Sequence, residues 1–199
     1  MRDKENIEAL LQVKPNFMGF IFYEKSPRFV GESLDIEQLK AFPKEVKKVG
    51  VFVNASIDFI VKTVKKYELD YAQLHGEEMP DFCKNLRLKG VSIIRAFSLD
   101  DTFSFAQVYN YKPFCDFFLF DAKGQNRGGN GVSFDWNILK KYDYQKPFLL
   151  AGGVDIGHVA MLDQLPQLPY CMDINSKFEI TPGLKDVPKI EEFLKLFDS

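Results

Sequence analysis

Six short apolar runs in this sequence end on residues able to do chemistry. The first is followed by Tyr23 to Arg28, and the later ones close on Asn54, His75, Asp121, the Gly152-Gly153 pair, and Asp173 to Asn175. Asp121 terminates the very apolar stretch FFLFD. Partial desolvation there would raise a carboxylic acid's pKa toward neutrality and keep a fraction protonated, as general acid catalysis requires. A lone Asp at a strand end is ordinarily a cap on the following turn, so the repetition of polar ends carries more than any single member. His75 suits either orientation of a substrate or a structural hydrogen bond, whereas His158 falls on the exposed side of a helical segment. Cys83, Cys115 and Cys171 are too few and too far apart for a disulfide framework, and no pair has metal-ligand spacing. They read as small apolar residues, and no metal site is expected.

These residues need elements to position them. The chain opens on a helix, with Ile7, Leu10, Leu11 and Val13 at three- and four-residue spacing, and only then reaches a strand-like run at 17–23. Further runs follow at 46–54, 71–76, 91–98, 116–122, 147–153 and 170–176, which makes seven. Most are continuous rather than alternating, the pattern of parallel strands covered by helices. Helical patterns fall between them at 34–40, 56–67, 79–88, 101–110, 135–141 and 155–165, with a closing helix at 186–197.

A βα repeat of this kind builds either an open doubly wound sheet or a closed (βα)8 TIM barrel. Eight helices against seven strands, with the surplus helix first, point to a barrel missing its first strand. No linker or low-complexity tract interrupts the repeat, so residues 1–199 are expected to form one barrel domain, truncated at its N-terminus. The polar strand ends then gather at the C-terminal mouth, where such barrels keep their chemistry. Phosphate would sit where the last two βα loops meet a short helix N-terminus, at Gly152, Gly153, Asn175 and Ser176. The Gly-rich GGNG at 128–131 reads as a lid over the substrate.

A hydrophobic fraction of 46% suffices for a substantial core, and a net charge of -2 with interspersed signs offers no basic stripe for nucleic acid. No apolar run approaches membrane-spanning length, so no membrane partner is expected. The cytoplasm is the expected location, and the sequence leaves room for a homodimer.

Taken in order, GFIFYEKSPRFV, VGVFVN, QLHGEE, LFDAKGQNRGGNGVSFDW, LLAGGV and DINSKFEITPGLKD resemble the phosphoribosylanthranilate isomerase family of tryptophan biosynthesis, over essentially the whole chain. The resemblance implies an eight-stranded βα barrel and no cofactor. It implies an Amadori rearrangement that takes N-(5'-phosphoribosyl)anthranilate to 1-(2-carboxyphenylamino)-1-deoxyribulose 5-phosphate. By the same resemblance Asp121 is the general acid, and Arg28 receives the anthranilate carboxylate, for which a guanidinium fork is well shaped. His75 and Asp173 are expected to bind substrate. Gly152, Gly153, Asn175, Ser176 and Lys177 are expected at the phosphate, and Lys177, where the family often has glycine, adds a cation there. The family's general base is a cysteine within a lysine-x-cysteine-glycine motif that ends the first strand; Met1-Arg2-Asp3 corresponds to the residues just after it. Very low turnover is therefore expected of this chain. The alternatives are a non-catalytic barrel binding a phosphorylated ligand or a protein, and another sugar-phosphate isomerase, which fits SPR and QLHG less well.

Overall fold

The computed structural model describes residues 1–31, 34–100, 102–122, 136–154 and 156–197. The chain begins with α1 (Lys4–Gln12), whose first turn is capped by the Asp3 carboxylate accepting from the Asn6 amide at 2.8 Å. There follow β1 (Phe17–Ile21), α2 (Ile36–Lys40), β2 (Lys47–Phe52), α3 (Ile57–Tyr67), β3 (Tyr71–Leu74), α4 (Pro80–Leu88), β4 (Ile93–Leu99), β5 (Phe117–Ala122), β6 (Phe148–Ala151) and β7 (Cys171–Met172). A small antiparallel pair, β8 (Glu179–Thr181) and β9 (Leu184–Lys185), precedes the last helix, α5 (Val187–Lys195).

All seven expected strands are present in one sheet, ordered β1 to β7 and parallel throughout. The eight expected helices are not: among the described residues five are α-helical, and Phe105–Tyr111, Trp136–Lys141 and Ile156–Gln164 form 3-10 segments instead. The first of these, FAQVYNY, is built largely from aromatic, β-branched and Asn residues that favour the α-helix weakly, and Ile156–Gln164 carries a glycine at its second position. Strand β7 is also shorter than the run at 170–176 suggests, because its end turns into the short 3-10 segment Ser176–Phe178.

Register explains the interior. Phe17, Tyr71 and Phe117, at the starts of β1, β3 and β5, point inward and meet edge to face, with ring centroids 5.7 to 5.9 Å apart. Tyr170, immediately before β7, lies 5.0 Å from Phe117 and completes an aromatic floor. Alternate strands of a tilted barrel contribute alternate layers. Above the floor come Val49, Ile94 and Leu149 from β2, β4 and β6; then Gly19, Gln73, Leu119 and Cys171 from the odd strands; then Val51, Ala96 and Ala151. The next odd layer, at the mouth, is Ile21, His75, Asp121 and Asp173.

Each odd layer has four members, while each even layer has three. The missing fourth place lies between β7 and β1, which do not pair with each other. That opening leads into a cavity of about 1080 Å3 with Phe17, Gly19, Cys171, Met172, Leu162 and Phe193 on its walls. On the outer edge of β1, the Met1 ammonium donates to the Gly19 carbonyl at 2.8 Å and the Val30 amide to the Ile21 carbonyl at 3.0 Å.

Candidate active site

The mouth layer brings together three of the residues singled out in the sequence. Asp121 is the penultimate residue of β5, held in register with Ser98 of β4 and Ala151 of β6. His75 follows β3 directly, its amide donating to the Phe52 carbonyl at 2.9 Å, and its Nε2 lies 3.4 Å from Asp121 Oδ2. On the other side of the ring the Gln73 amide nitrogen is 3.4 Å from His75 Nδ1. A side-chain amide nitrogen can only donate, so this contact is a hydrogen bond in the tautomer whose Nδ1 accepts and whose Nε2–H faces Asp121.

The loop that carries His75 is braced from outside the sheet. Glu78 accepts from the amides of Asn54 at 2.8 Å and Gly76 at 3.0 Å, and it faces Arg95, whose guanidinium also donates to the carbonyls of Leu74, Ala96 and Gly76. Asn54, a polar strand end in the sequence, works here as a turn residue: φ is 52° and its Oδ1 accepts from the Glu77 amide at 2.7 Å. A Cβ on Gly76 would come within 2.3 Å of that oxygen, so only glycine lets the loop pass under Asn54.

Asp173 follows β7, its amide bonded to the Leu150 carbonyl at 2.8 Å. Burial pushes its carboxyl up from the ordinary range and the Asp121 charge adds to the rise, against the pull of Lys185 and His75. Two residues deeper, Cys171 packs against the inner cluster, and burial with the Asp173 charge drives its thiol up to about 12. Cys83 lies on α4 and Cys115 ahead of β5; both are buried and neither reaches the mouth. Among the described residues no thiol is exposed at the strand ends.

Arg28 is reached by the turn after β1, where its amide bonds Ser26 Oγ at 3.2 Å. Its Nε lies 2.9 and 3.0 Å from the two carboxylate oxygens of Glu179, and its Nη2 lies 2.6 Å from Oε2. Glu179 also accepts from Gly183 N at 3.1 Å and from Lys185 Nζ at 3.2 Å. Lys185 Nζ in turn reaches Asn175 Oδ1 at 2.8 Å, and the Lys185 backbone exchanges two hydrogen bonds with the side chain of Asn6 on α1. Burial alone would raise the Glu179 carboxyl, but Arg28, Lys185 and the Gly183 amide together hold it down at about 2. Glu179, Lys185 and Asn6 were not picked out from the sequence. They become visible only when β8 and β9 fold residue 179 back onto residue 28.

The loops after β6 and β7 are neighbours because their strands are. Gly152 and Gly153 have φ of 95° and 69°, and Asn175 precedes the turn Ser176–Phe178. Among the described residues no carbonyl accepts from the amides of Gly153, Ser176 or Lys177, which leaves these donors at one corner of the mouth. The Asn175 Oδ1 accepts from Lys185, and the donors Asn175 could turn to an anion are its backbone N–H and its side-chain NH2. The GGNG segment and the side chain of His158 lie outside the described residues.

The family model described as N-(5'phosphoribosyl)anthranilate (PRA) isomerase matches residues 1–196. An N-(5'-phosphoribosyl)anthranilate isomerase of Parabacteroides distasonis is 40% identical, over 98% of this chain and 89% of the relative. The protein of that name from Phocaeicola vulgatus is 36% identical over 98% and 93%. Among solved structures, the phosphoribosyl anthranilate isomerase of Thermotoga maritima superposes with a TM-score of 0.82 at 29% identity, covering 98% of this chain and 94% of that one. An isomerase solved in complex with reduced 1-(o-carboxyphenylamino)-1-deoxyribulose 5-phosphate superposes at 0.80 and 27% identity, covering 98% and 93%.

Proposed function

The chain belongs to the N-(5'-phosphoribosyl)anthranilate isomerase family, and from that premise we propose how its residues divide the work of the Amadori rearrangement in tryptophan biosynthesis. Asp121 gives its proton to the ring oxygen of the ribose as the C1'–O bond opens. The electron pair leaves with oxygen, which becomes the 4'-hydroxyl, and C1' and the anthranilate nitrogen remain as a protonated Schiff base. A base then takes the C2' proton to give an enolamine; this gains a proton at C1' while its 2'-hydroxyl loses one, which leaves the ketone product. His75 orients Asp121 through the 3.4 Å contact, and Asp173 accepts from substrate hydroxyls on the same layer. Arg28 receives the anthranilate carboxylate. Phosphate binds at the backbone of Gly152, Gly153 and Asn175 to Lys177, with the Lys177 ammonium beside it.

The observation that carries this assignment is the joint placement of Asp121, His75 and Asp173 on one layer at the C-terminal mouth, the side on which barrels of this type do chemistry. Replacing Asp121 by Asn is expected to lower kcat by about 10² to 10⁴ while leaving the melting temperature unchanged, since an amide cannot supply the proton. A steady-state assay on freshly generated phosphoribosylanthranilate measures it, and an unchanged kcat would remove Asp121 from the acid's place.

The base is the second half of the proposal. The slot between β1 and β7 fits an eighth parallel strand, as the two three-membered layers suggest, and such a strand would carry the basic cysteine to the mouth beside Met1. The protein works on a small molecule; no helix among the described residues is long and apolar enough to cross a membrane. We place it in the cytosol, which three unpaired cysteines suit. Pairing of two chains is included because Leu168, Tyr170 and Phe197 expose apolar surface beside the slot; light scattering at two concentrations tests it.

A further inference from the structure

Arg28, Glu179 and Lys185 form a group of three charges on the wall of the cavity, with side chains only 21%, 4% and 11% exposed. The sum of the three is a single positive charge. Glu179 occupies one edge of the guanidinium, the edge formed by Nε and Nη2. Nη1 makes no hydrogen bond to any described residue, which leaves the second edge, Nη1 with the remaining Nη2 proton, as an unused fork. Guanidinium presents its donors in one rigid plane, so fixing one edge fixes the direction of the other. The Glu179 carboxylate is itself fixed by Lys185 Nζ and by the Gly183 amide, and Lys185 by Asn175 and Asn6. Arg28 thus has a long side chain whose rotamer freedom is already spent before a ligand arrives.

We propose that Glu179 is a positioning residue for the isomerase: by holding the Nε edge of Arg28 it aims the opposite edge at the aromatic carboxylate of the substrate, with Lys185 keeping the cluster cationic enough to accept an anion. This rests on the reading of Arg28 given above. Without Glu179 the guanidinium would still carry its charge but would sample several directions, and the gain from a preformed two-point contact would be lost. Without Lys185 the Arg28–Glu179 pair would be neutral and a second carboxylate beside it disfavoured.

The test is binding of two reduced product analogues to the full 199-residue chain by calorimetry, one bearing the ring carboxylate and one with hydrogen in its place. Glu179→Gln is expected to weaken the carboxylated analogue by about tenfold, the scale of one charge-assisted contact, and to leave the analogue without carboxylate within about twofold. Arg28→Ala should weaken the carboxylated analogue further, and adding Glu179→Gln to it should change nothing more, because a residue acting through Arg28 has no effect once Arg28 is gone. Equal loss of both analogues in Glu179→Gln would mean a structural role and overturn the inference. An unchanged affinity in Arg28→Ala would instead refute the assignment of Arg28 on which it stands, and the two failures are therefore distinct. If Glu179→Gln no longer shows a cooperative melt, Glu179→Asp keeps the charge but withdraws it by one methylene. It should lower the carboxylated analogue's affinity about threefold and spare the other, and loss of neither or of both would equally overturn the proposal.

Discussion

The wall formed by β4 and β5 and the seam between β7 and β1 lie on opposite sides of the same barrel and obey different rules. At the wall, six residue pairs stay in parallel register, from Ile94 with Phe117 to Leu99 with Ala122. The outer face is filled by Phe97, Phe118 and Phe120, whose ring centroids lie 5.4 to 6.3 Å apart. At the seam no strand pairs with another; β7 keeps only two residues in register with β6, and the edge of β1 is occupied in part by a chain terminus and a turn. Both sides nevertheless end on residues of the proposed site, Asp121 above the wall and Arg28 and Asp173 above the seam. Asp121 is held by the sheet itself, whereas Arg28 is held by side chains that tie α1, the turn after β1 and the β8–β9 hairpin together.

The largest expected effect comes from closing the seam. Joining to Met1 an upstream segment that forms a β-strand and ends in lysine-x-cysteine-glycine should fill the two three-membered layers, pair with the edge of β1 in place of the Met1 amine and deliver a thiolate to the mouth. A positioned general base contributes roughly 10²- to 10⁴-fold, so kcat should rise by about that factor over the 199-residue chain, and Cys→Ala in the added strand should remove most of the gain while leaving the melt in place. Comparable turnover by the chain as it stands would mean that another group takes the C2' proton, with Asp173 the first to test by Asp173→Asn.

Stability should differ between the two sides as well. Phe118 is fully buried on the outer face of β5, and Phe118→Ala should cost about 3–5 kcal/mol by deleting a large side chain from a tightly packed site. Tyr170, at the foot of the seam, is 59% exposed although its ring touches Phe17 and Phe117, and Tyr170→Ala should cost roughly 1 kcal/mol or less. Urea denaturation of both variants measures the pair; similar losses would show that the seam is packed as firmly as the wall.

Sequence and structure agree where period and spacing carry the information. The seven strand runs, their parallel order and the opening beside β1 follow from apolar runs and from counting helices, and Asp121, His75 and Asp173 share a layer because each closes an odd strand. What the sequence hid is long-range. Glu179 and Lys185 stand in the same DINSKFEITPGLKD segment as the expected phosphate residues, yet their role depends on a contact between residues 28 and 179 that no local pattern encodes. The 3-10 segments share the three-residue spacing of apolar side chains with α-helices, so spacing does not separate the two, and only the weak α-formers of FAQVYNY and the glycine of Ile156–Gln164 hint at the difference.

The smallest effect separates the seam from the wall by pH. The Met1 ammonium is buried at the edge of β1, and burial, with the Lys185 charge adding to it, pushes its pKa down from 8.0 to about 5. In the unfolded chain the amine keeps its ordinary value, so between about pH 5 and 8 the unfolded state binds more protons than the folded one, and stability must rise with pH across that window. The contribution is complete above pH 8, where both forms are neutral, and is lost as pH falls toward 5. Because the amine borders an open cavity that water can enter, the loss should be on the order of 1 kcal/mol rather than the full value that such a displacement allows. Acetylating the α-amine keeps an N–H for the Gly19 carbonyl but removes the titration. Urea midpoints of the acetylated chain should therefore stay higher than those of the free-amine chain at pH 5.5 and converge with them at pH 8.5, while the cost of Phe118→Ala should be the same at both values. A free-amine chain whose stability relative to the acetylated one does not change between these pH values would show that the terminus is hydrated at the seam and that nothing at this edge of β1 is sequestered from solvent.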